Sequence, residues 1–107
     1  MGSKMIYISG AISCLPNNEW KANFDNAERK LKRLFSNDII INPTKLIPYQ
    51  GEHSWRAYMR SDIYQLALCD EIWVMPNWWK SKGCIVEILV SLVLGVKIFS
   101  LKKEWLL

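Results

Sequence analysis

The sequence predicts an α/β domain: a parallel sheet of about four strands with helices on both faces. Three observations carry this. Short apolar, β-branched runs recur along the chain, amphipathic stretches with helical spacing separate them, and the first three runs stop at a Gly or Pro signal. A β-α-β-α-β-α-β series implies parallel pairing, because each crossover lays a helix over the sheet. The 107 residues are 50% hydrophobic and 22% charged. That is the composition of one packed domain, residues 1–107, rather than a disordered chain.

The first strand is Met5-Ile6-Tyr7-Ile8-Ser9, ended by Gly10. Residues 18–35 form the first helix, with Trp20, Phe24, Ala27, Leu31, Leu34 and Phe35 on one stripe and Asn17 or Asn18 as N-cap. Its other face carries Lys21, Arg29, Lys30, Lys32 and Arg33 and is expected to be solvated. Asp38-Ile39-Ile40-Ile41 is the second strand, stopped by Asn42-Pro43, and residues 44–52 read as irregular. A second helix starts near His53 or Ser54, with the stripe Trp55, Tyr58 or Met59, Ile63, Leu66 and Ala67. Asp62 lies one position off that stripe. The third strand, Glu71-Ile72-Trp73-Val74-Met75, ends at Pro76; residues 78–83 are a polar and aromatic loop. A third helix runs to about Leu94 with Gly95 as its C-terminal cap, and Lys97-Ile98-Phe99-Ser100-Leu101 is the fourth strand.

Composition removes several function classes. Cys14, Cys69 and Cys84 are far apart, with no C-x-x-C spacing, and His53 is the one histidine. A disulfide framework and a metal site are therefore not expected. The formal charge of +4 fits an anionic small molecule, a nucleic acid or simply a soluble surface. A nucleic-acid partner using the basic face of the first helix is not expected, because the aromatics are not interleaved with that face. The apolar run 84–96 is shorter than the ~20 residues a membrane span takes. Met1-Gly2-Ser3-Lys4 leads straight into the first strand, so no signal peptide is expected and the expected compartment is the cytoplasm.

In open parallel sheets, ligands sit beyond the carboxyl ends of the strands. The segments to read for chemistry are therefore 9–13, 42–44 and 76–83, with the helix turns that follow. Glu87 is the sharpest signal, a lone carboxylate among Cys84, Ile85, Val86, Ile88, Leu89 and Val90. Burial there costs free energy unless donors hold the charge, and a nucleophilic carboxylate needs such a site. The alternative is a residue on an outer face. Asp62 is the second carboxyl; it serves either as proton donor beside Glu87 or as a solvated partner of Arg56 or Arg60. Tyr7 is a core residue or a catalytic one. Ser81 is placed to cap the third helix, whose N-terminus favours polar oxygens, with Lys80 and Lys82 adding charge. Trp78 and Trp79 suit a planar base or a subunit contact. The single-glycine loop Ser9-Gly10-Ala11-Ile12-Ser13 matches neither a dinucleotide fingerprint nor a P-loop.

Taken together, Ile6-Tyr7-Ile8-Ser9-Gly10, Ile41-Asn42-Pro43, Tyr58-Met59-Arg60-Ser61-Asp62 and Ser81-Lys82-Gly83-Cys84…Glu87 resemble a bacterial and phage domain of unknown function in the nucleoside 2-deoxyribosyltransferase-like superfamily. The resemblance covers nearly the whole chain. It implies a three-layer flavodoxin-like or Rossmann-like fold and chemistry on N-glycosidic bonds of nucleosides or nucleotides. It implies Glu87 as nucleophile, Asp62 as proton donor to the departing base, and Tyr7 as the residue that positions the nucleophile. Ser9, Gly10, Ser81, Gly83 and Trp79 are the implied substrate contacts. No metal or other cofactor is implied, and the expected assembly is a homodimer or larger. Two departures stand out. Ala11 and Ile12-Ser13 follow the first-strand glycine where monophosphate hydrolases place a serine and an arginine, and Ser81 stands where transferases carry an acidic residue. The resemblance therefore carries over neither a 5′-phosphate specificity nor a choice between hydrolysis and transfer. The alternative function is a catalytically silent nucleotide-binding module of the same fold.

Overall fold

The β-branched runs pair as one sheet of four parallel strands, in the order β2-β1-β3-β4. The structure, a computed structural model, describes residues 3–12, 19–46 and 54–106. The strands are β1 (Met5–Ser9), β2 (Ile39–Ile41), β3 (Glu71–Val74) and β4 (Lys97–Ser100). Helix α1 (Glu19–Leu34) joins β1 to β2, α3 (Trp55–Ala67) precedes β3, and α4 (Lys82–Leu94) joins β3 to β4. Met75 and Leu101, expected as strand ends, fall just outside the ladders. Both stay buried and donate their N–H groups to Ser9 and Val74 carbonyls at 2.9 and 2.8 Å.

Strand alternation sorts the core into two layers. Ile6 and Ile8 face α1 and pack with Phe24, Ala27 and Leu31. Tyr7, Ile72 and Val74 face the opposite way and pack with Leu66, Cys69 and Val96, with Ile63 and Ile88 alongside. On the α1 side of β3 and β4, Trp73 stacks on Phe99 with ring centroids 4.9 Å apart and on Trp105 at 6.1 Å. Trp105 belongs to a short 3-10 turn, Lys103–Trp105, so an aromatic cluster stands there in place of a helix.

Several expectations shift in detail. Residues 44–52 were expected to be irregular, yet Pro43–Leu46 form a short helix, α2. Asn42 explains it: its side-chain Oδ1 accepts the Thr44 N–H at 3.1 Å, and a proline suits a first helical position. Ser54 caps α3, its Oγ accepting the Ala57 N–H at 3.2 Å. In the α3 stripe Met59 and Leu66 are buried, whereas Trp55 and Ala67 are exposed. Leu34 is also exposed, and Phe35 packs against the α1 core instead. The expected loop 78–83 is a 3-10 turn at Trp78–Lys80 running directly into α4. Gly95 ends α4 at φ 77, left-handed backbone that a glycine adopts without a Cβ clash. The expected caps Asn17 and Asn18, together with Ser13, Cys14 and His53, lie outside the described residues. Among the described residues no helix is long and apolar enough to cross a membrane.

Candidate active site

The chain leaves β1 towards β2 on one side and later returns to β3 on the other, so the order of strands reverses between β1 and β3. Open sheets of this kind form a crevice beyond the strand ends at such a point. A cavity of about 160 Å³ opens there, far above the ~10–15 Å³ that one buried water needs. It is bordered by the loop after β1 (Gly10, Ile12), by Phe24, by Pro43 and Thr44 of α2, by Trp55 to Asp62 on α3, and by Ser81 to Glu87 at the start of α4.

Glu87 is only 5% exposed. Tyr7 Oη donates to its Oε2 at 2.6 Å, and Ser9 Oγ donates to its Oε1 at 2.6 Å. Both donors are themselves buried on the α4-facing side of β1, two residues apart as strand periodicity requires. Glu87 stands in the second turn of α4, beyond the first turn where the helix dipole acts strongly. Burial therefore wins. It pushes the carboxyl up to about 7, with the nearby Asp62 charge adding to the rise, against the lowering effect of the Ser9 and Tyr7 hydrogen bonds. The Tyr7 hydroxyl is held well above its ordinary range by burial and by the Glu87 charge, so it stays a donor.

Asp62 lines the same cavity from α3, and burial pushes it up to about 6. Ser81 caps α4, its Oγ accepting the Cys84 N–H at 3.2 Å, and it also borders the cavity. Gly10 and Gly83 are cavity-lining too. A Cβ on Gly10 would stand 2.2 Å from the Met75 sulfur, so the loop after β1 can lie this close only without a side chain. Lys82 Nζ sits 4.6 Å over the Trp55 ring at the cavity border.

Two expected substrate contacts fall elsewhere. Ser9 is not part of the lining; its hydroxyl is committed to Glu87 behind the cavity wall. Trp79 is also absent from the lining. It is 58% exposed and meets Trp78 edge to face at 6.1 Å, because the 3-10 turn holds both indoles on the surface. Trp55 and both alternatives for the next stripe position, Tyr58 and Met59, border the cavity, with Phe24, Pro43 and Thr44. The signal for Thr44 was its position directly after the end of a parallel strand. For Phe24 no sequence signal separated lining from core.

Fold and site together define an open α/β layer with two carboxyl groups at its switch point, one half-buried and the other buried and held by two hydroxyl donors. Residues 4–100 match the domain of unknown function DUF4406, and the chain belongs to that family. Comparison with curated proteins finds none that matches by sequence. Among solved structures the fold is similar to a 2-desoxiribosyltransferase from Leishmania mexicana, with a TM-score of 0.66 and 22% identity over 91% of this chain and 63% of that one. The chain thus spans less than two thirds of that protein's length. The likeness shows a shared deoxyribosyltransferase-like fold.

Proposed function

We propose that this protein cleaves the N-glycosidic bond of a nucleoside or nucleotide, as a hydrolase or a deoxyribosyltransferase. The observation that carries the reading is Glu87, a buried carboxylate held by Tyr7 and Ser9 beside a cavity that Asp62 also lines. In the first step Glu87 attacks C1′, the C1′–N bond breaks, and Asp62 gives its proton to the departing base. A covalent glycosyl ester remains on Glu87. Water, or a second base, then attacks C1′ with Asp62 taking up a proton, and the sugar leaves with net retention. Ser81, Gly10 and Gly83 contact the sugar, and Trp55 and Tyr58 offer aromatic faces for the base. The test is a chromatographic assay of base release from a panel of ribo- and deoxyribonucleosides and their monophosphates, with and without an added acceptor base. Release from at least one member is expected. Saturable binding with no release would instead identify a silent nucleotide-binding module.

We also propose that the protein works as a homodimer built on α4. The outward face of α4 carries Ile85, Leu89, Leu92 and Val93, the last 84% exposed, with no charged residue beyond Lys82. A helix apolar on every side belongs in an interior. Those four side chains leave on the order of 400 Å² of apolar surface in water, about half of what each partner covers in a standard interface. A second copy presenting the same face supplies an apolar match, and the exposed Trp78 and Trp79 lie in the turn that leads into α4. Light scattering on the purified chain should give twice the monomer mass. Leu89→Lys with Val93→Lys should give the monomer; an unchanged mass would remove this interface.

A further inference from the structure

The Pro43–Thr44 side of the cavity is held from behind by polar contacts that the reaction scheme does not use. Glu28, one helical turn after Phe24 on α1, is 7% exposed. Its Oε1 accepts from Asn42 Nδ2 at 3.0 Å and from Lys45 Nζ at 2.7 Å, and its Oε2 from Lys32 Nζ at 2.6 Å. Burial alone would raise this carboxyl, but the hydrogen bonds from Lys32, Lys45 and Asn42 outweigh it and hold the group at about 2. Glu28 is therefore ionised near neutral pH and can only accept. That fixes the orientation of the Asn42 amide: its N–H₂ faces Glu28 and its Oδ1 faces away. This Oδ1 accepts twice from Thr44, from the backbone N–H at 3.1 Å and from Oγ1 at 2.6 Å. A threonine hydroxyl has one proton, and here it is committed to Asn42. Only lone pairs remain on Oγ1, and Thr44 lines the cavity.

We propose that Thr44 Oγ1 is a specificity-determining acceptor that selects ligands presenting an N–H or O–H donor to it, with Asn42 and Glu28 as the positioning residues that deny it a donor role. This rests on the nucleoside reading of the cavity and says which member of that class it prefers. Two parts of a nucleoside carry such a donor, an exocyclic amino group on the base and a hydroxyl on the sugar. A ligand offering a lone pair at that place leaves two acceptors facing each other, which is unfavourable once the ligand has displaced the water there.

The test is calorimetric binding of paired nucleosides to the intact chain. Deoxyadenosine against deoxyinosine and deoxycytidine against deoxyuridine report a base contact; deoxyadenosine against its 3′-deoxy analogue reports a sugar contact. At least one pair should favour the donor-bearing member by about tenfold or more. Thr44→Val should collapse that ratio to within about threefold. Glu28→Gln, which frees the Asn42 amide to turn, should relax the ratio while Thr44 is still present, an effect that a purely structural role for Glu28 would not produce. Equal binding within every pair, or a ratio that survives Thr44→Val, overturns this assignment and leaves the nucleoside reading standing. No binding by any member overturns both together.

Discussion

Glu87→Gln is expected to abolish base release, by at least about 10⁴-fold, and at the same time to make the folded protein more stable at pH 8. The loss of activity follows because an amide oxygen is a poor nucleophile towards C1′. The gain in stability follows from the pKa. In the unfolded chain the Glu87 carboxyl titrates near its ordinary 4.5, and in the folded chain burial pushes it up to about 7. Between those values the native state keeps a proton that the unfolded state has lost. Stability from this group is therefore complete below about 4.5, falls as pH rises, and reaches its floor above about 7. The full span is roughly 3 kcal/mol. Glutamine resembles the protonated acid and has no charge to bury, so its advantage is small at pH 5 and largest at pH 8. Its amide can still pair with the Tyr7 and Ser9 hydroxyls, each of which accepts as well as donates. In a domain of this size a gain of 1 kcal/mol raises the melting temperature by about 4–8 °C, so melts at the two pH values resolve the difference. Equal destabilisation at both pH values, or retained turnover, would contradict the roles given to this residue.

The strands were legible because each is a short apolar run, the first three with a hard Gly or Pro stop, and period-two alternation then decides which side chain meets which helix. Glu87 was legible for the opposite reason, as the one carboxylate in an apolar helix, a group that burial alone would not select. The bond from Tyr7 to Glu87 joins residues 80 apart in the chain, and no local pattern encodes it. It follows from β1 lying directly beside β3, which puts Tyr7 next to Ile72 and under the helix that follows β3. Trp55 and Tyr58 gave no sign of lining a cavity, because periodicity gives the inward face of a helix without saying whether that face meets core or cavity. The first helix hid Glu28 in a similar way. Its basic face reads as solvated, and the cation that helps bury Glu28 there, Lys45, arrives from α2. An aromatic beside a helix N-terminus, such as Trp79, has the same local sequence whether it points into the crevice or across the surface.

The rate of base release is expected to follow a bell in pH, with its maximum between about 6 and 7, and Asp62→Asn is expected to change its shape as well as its height. Burial holds Asp62 at about 6 and Glu87 at about 7, so one proton is shared by the pair between those values. Below the window both are protonated and nothing attacks; above it both are ionised and nothing protonates the base. Within the window chemistry needs the shared proton on Asp62 and the charge on Glu87, so only the fraction of molecules in that arrangement reacts. Donors that stabilise the Glu87 anion, Tyr7 and Ser9, enlarge that fraction. With Asp62→Asn only Glu87 titrates, and the falling limb at high pH should vanish, leaving a rise towards a plateau. That rise should be centred below about 7, since the Asp62 charge that pushes Glu87 up is gone. The plateau should lie about 10²–10⁴-fold below the parent for ordinary bases, which need protonation to depart. A nucleoside with an activated leaving group needs no such help and should lose far less. The same proportional loss for both leaving groups, or a bell that persists without Asp62, would assign the proton donor to another residue.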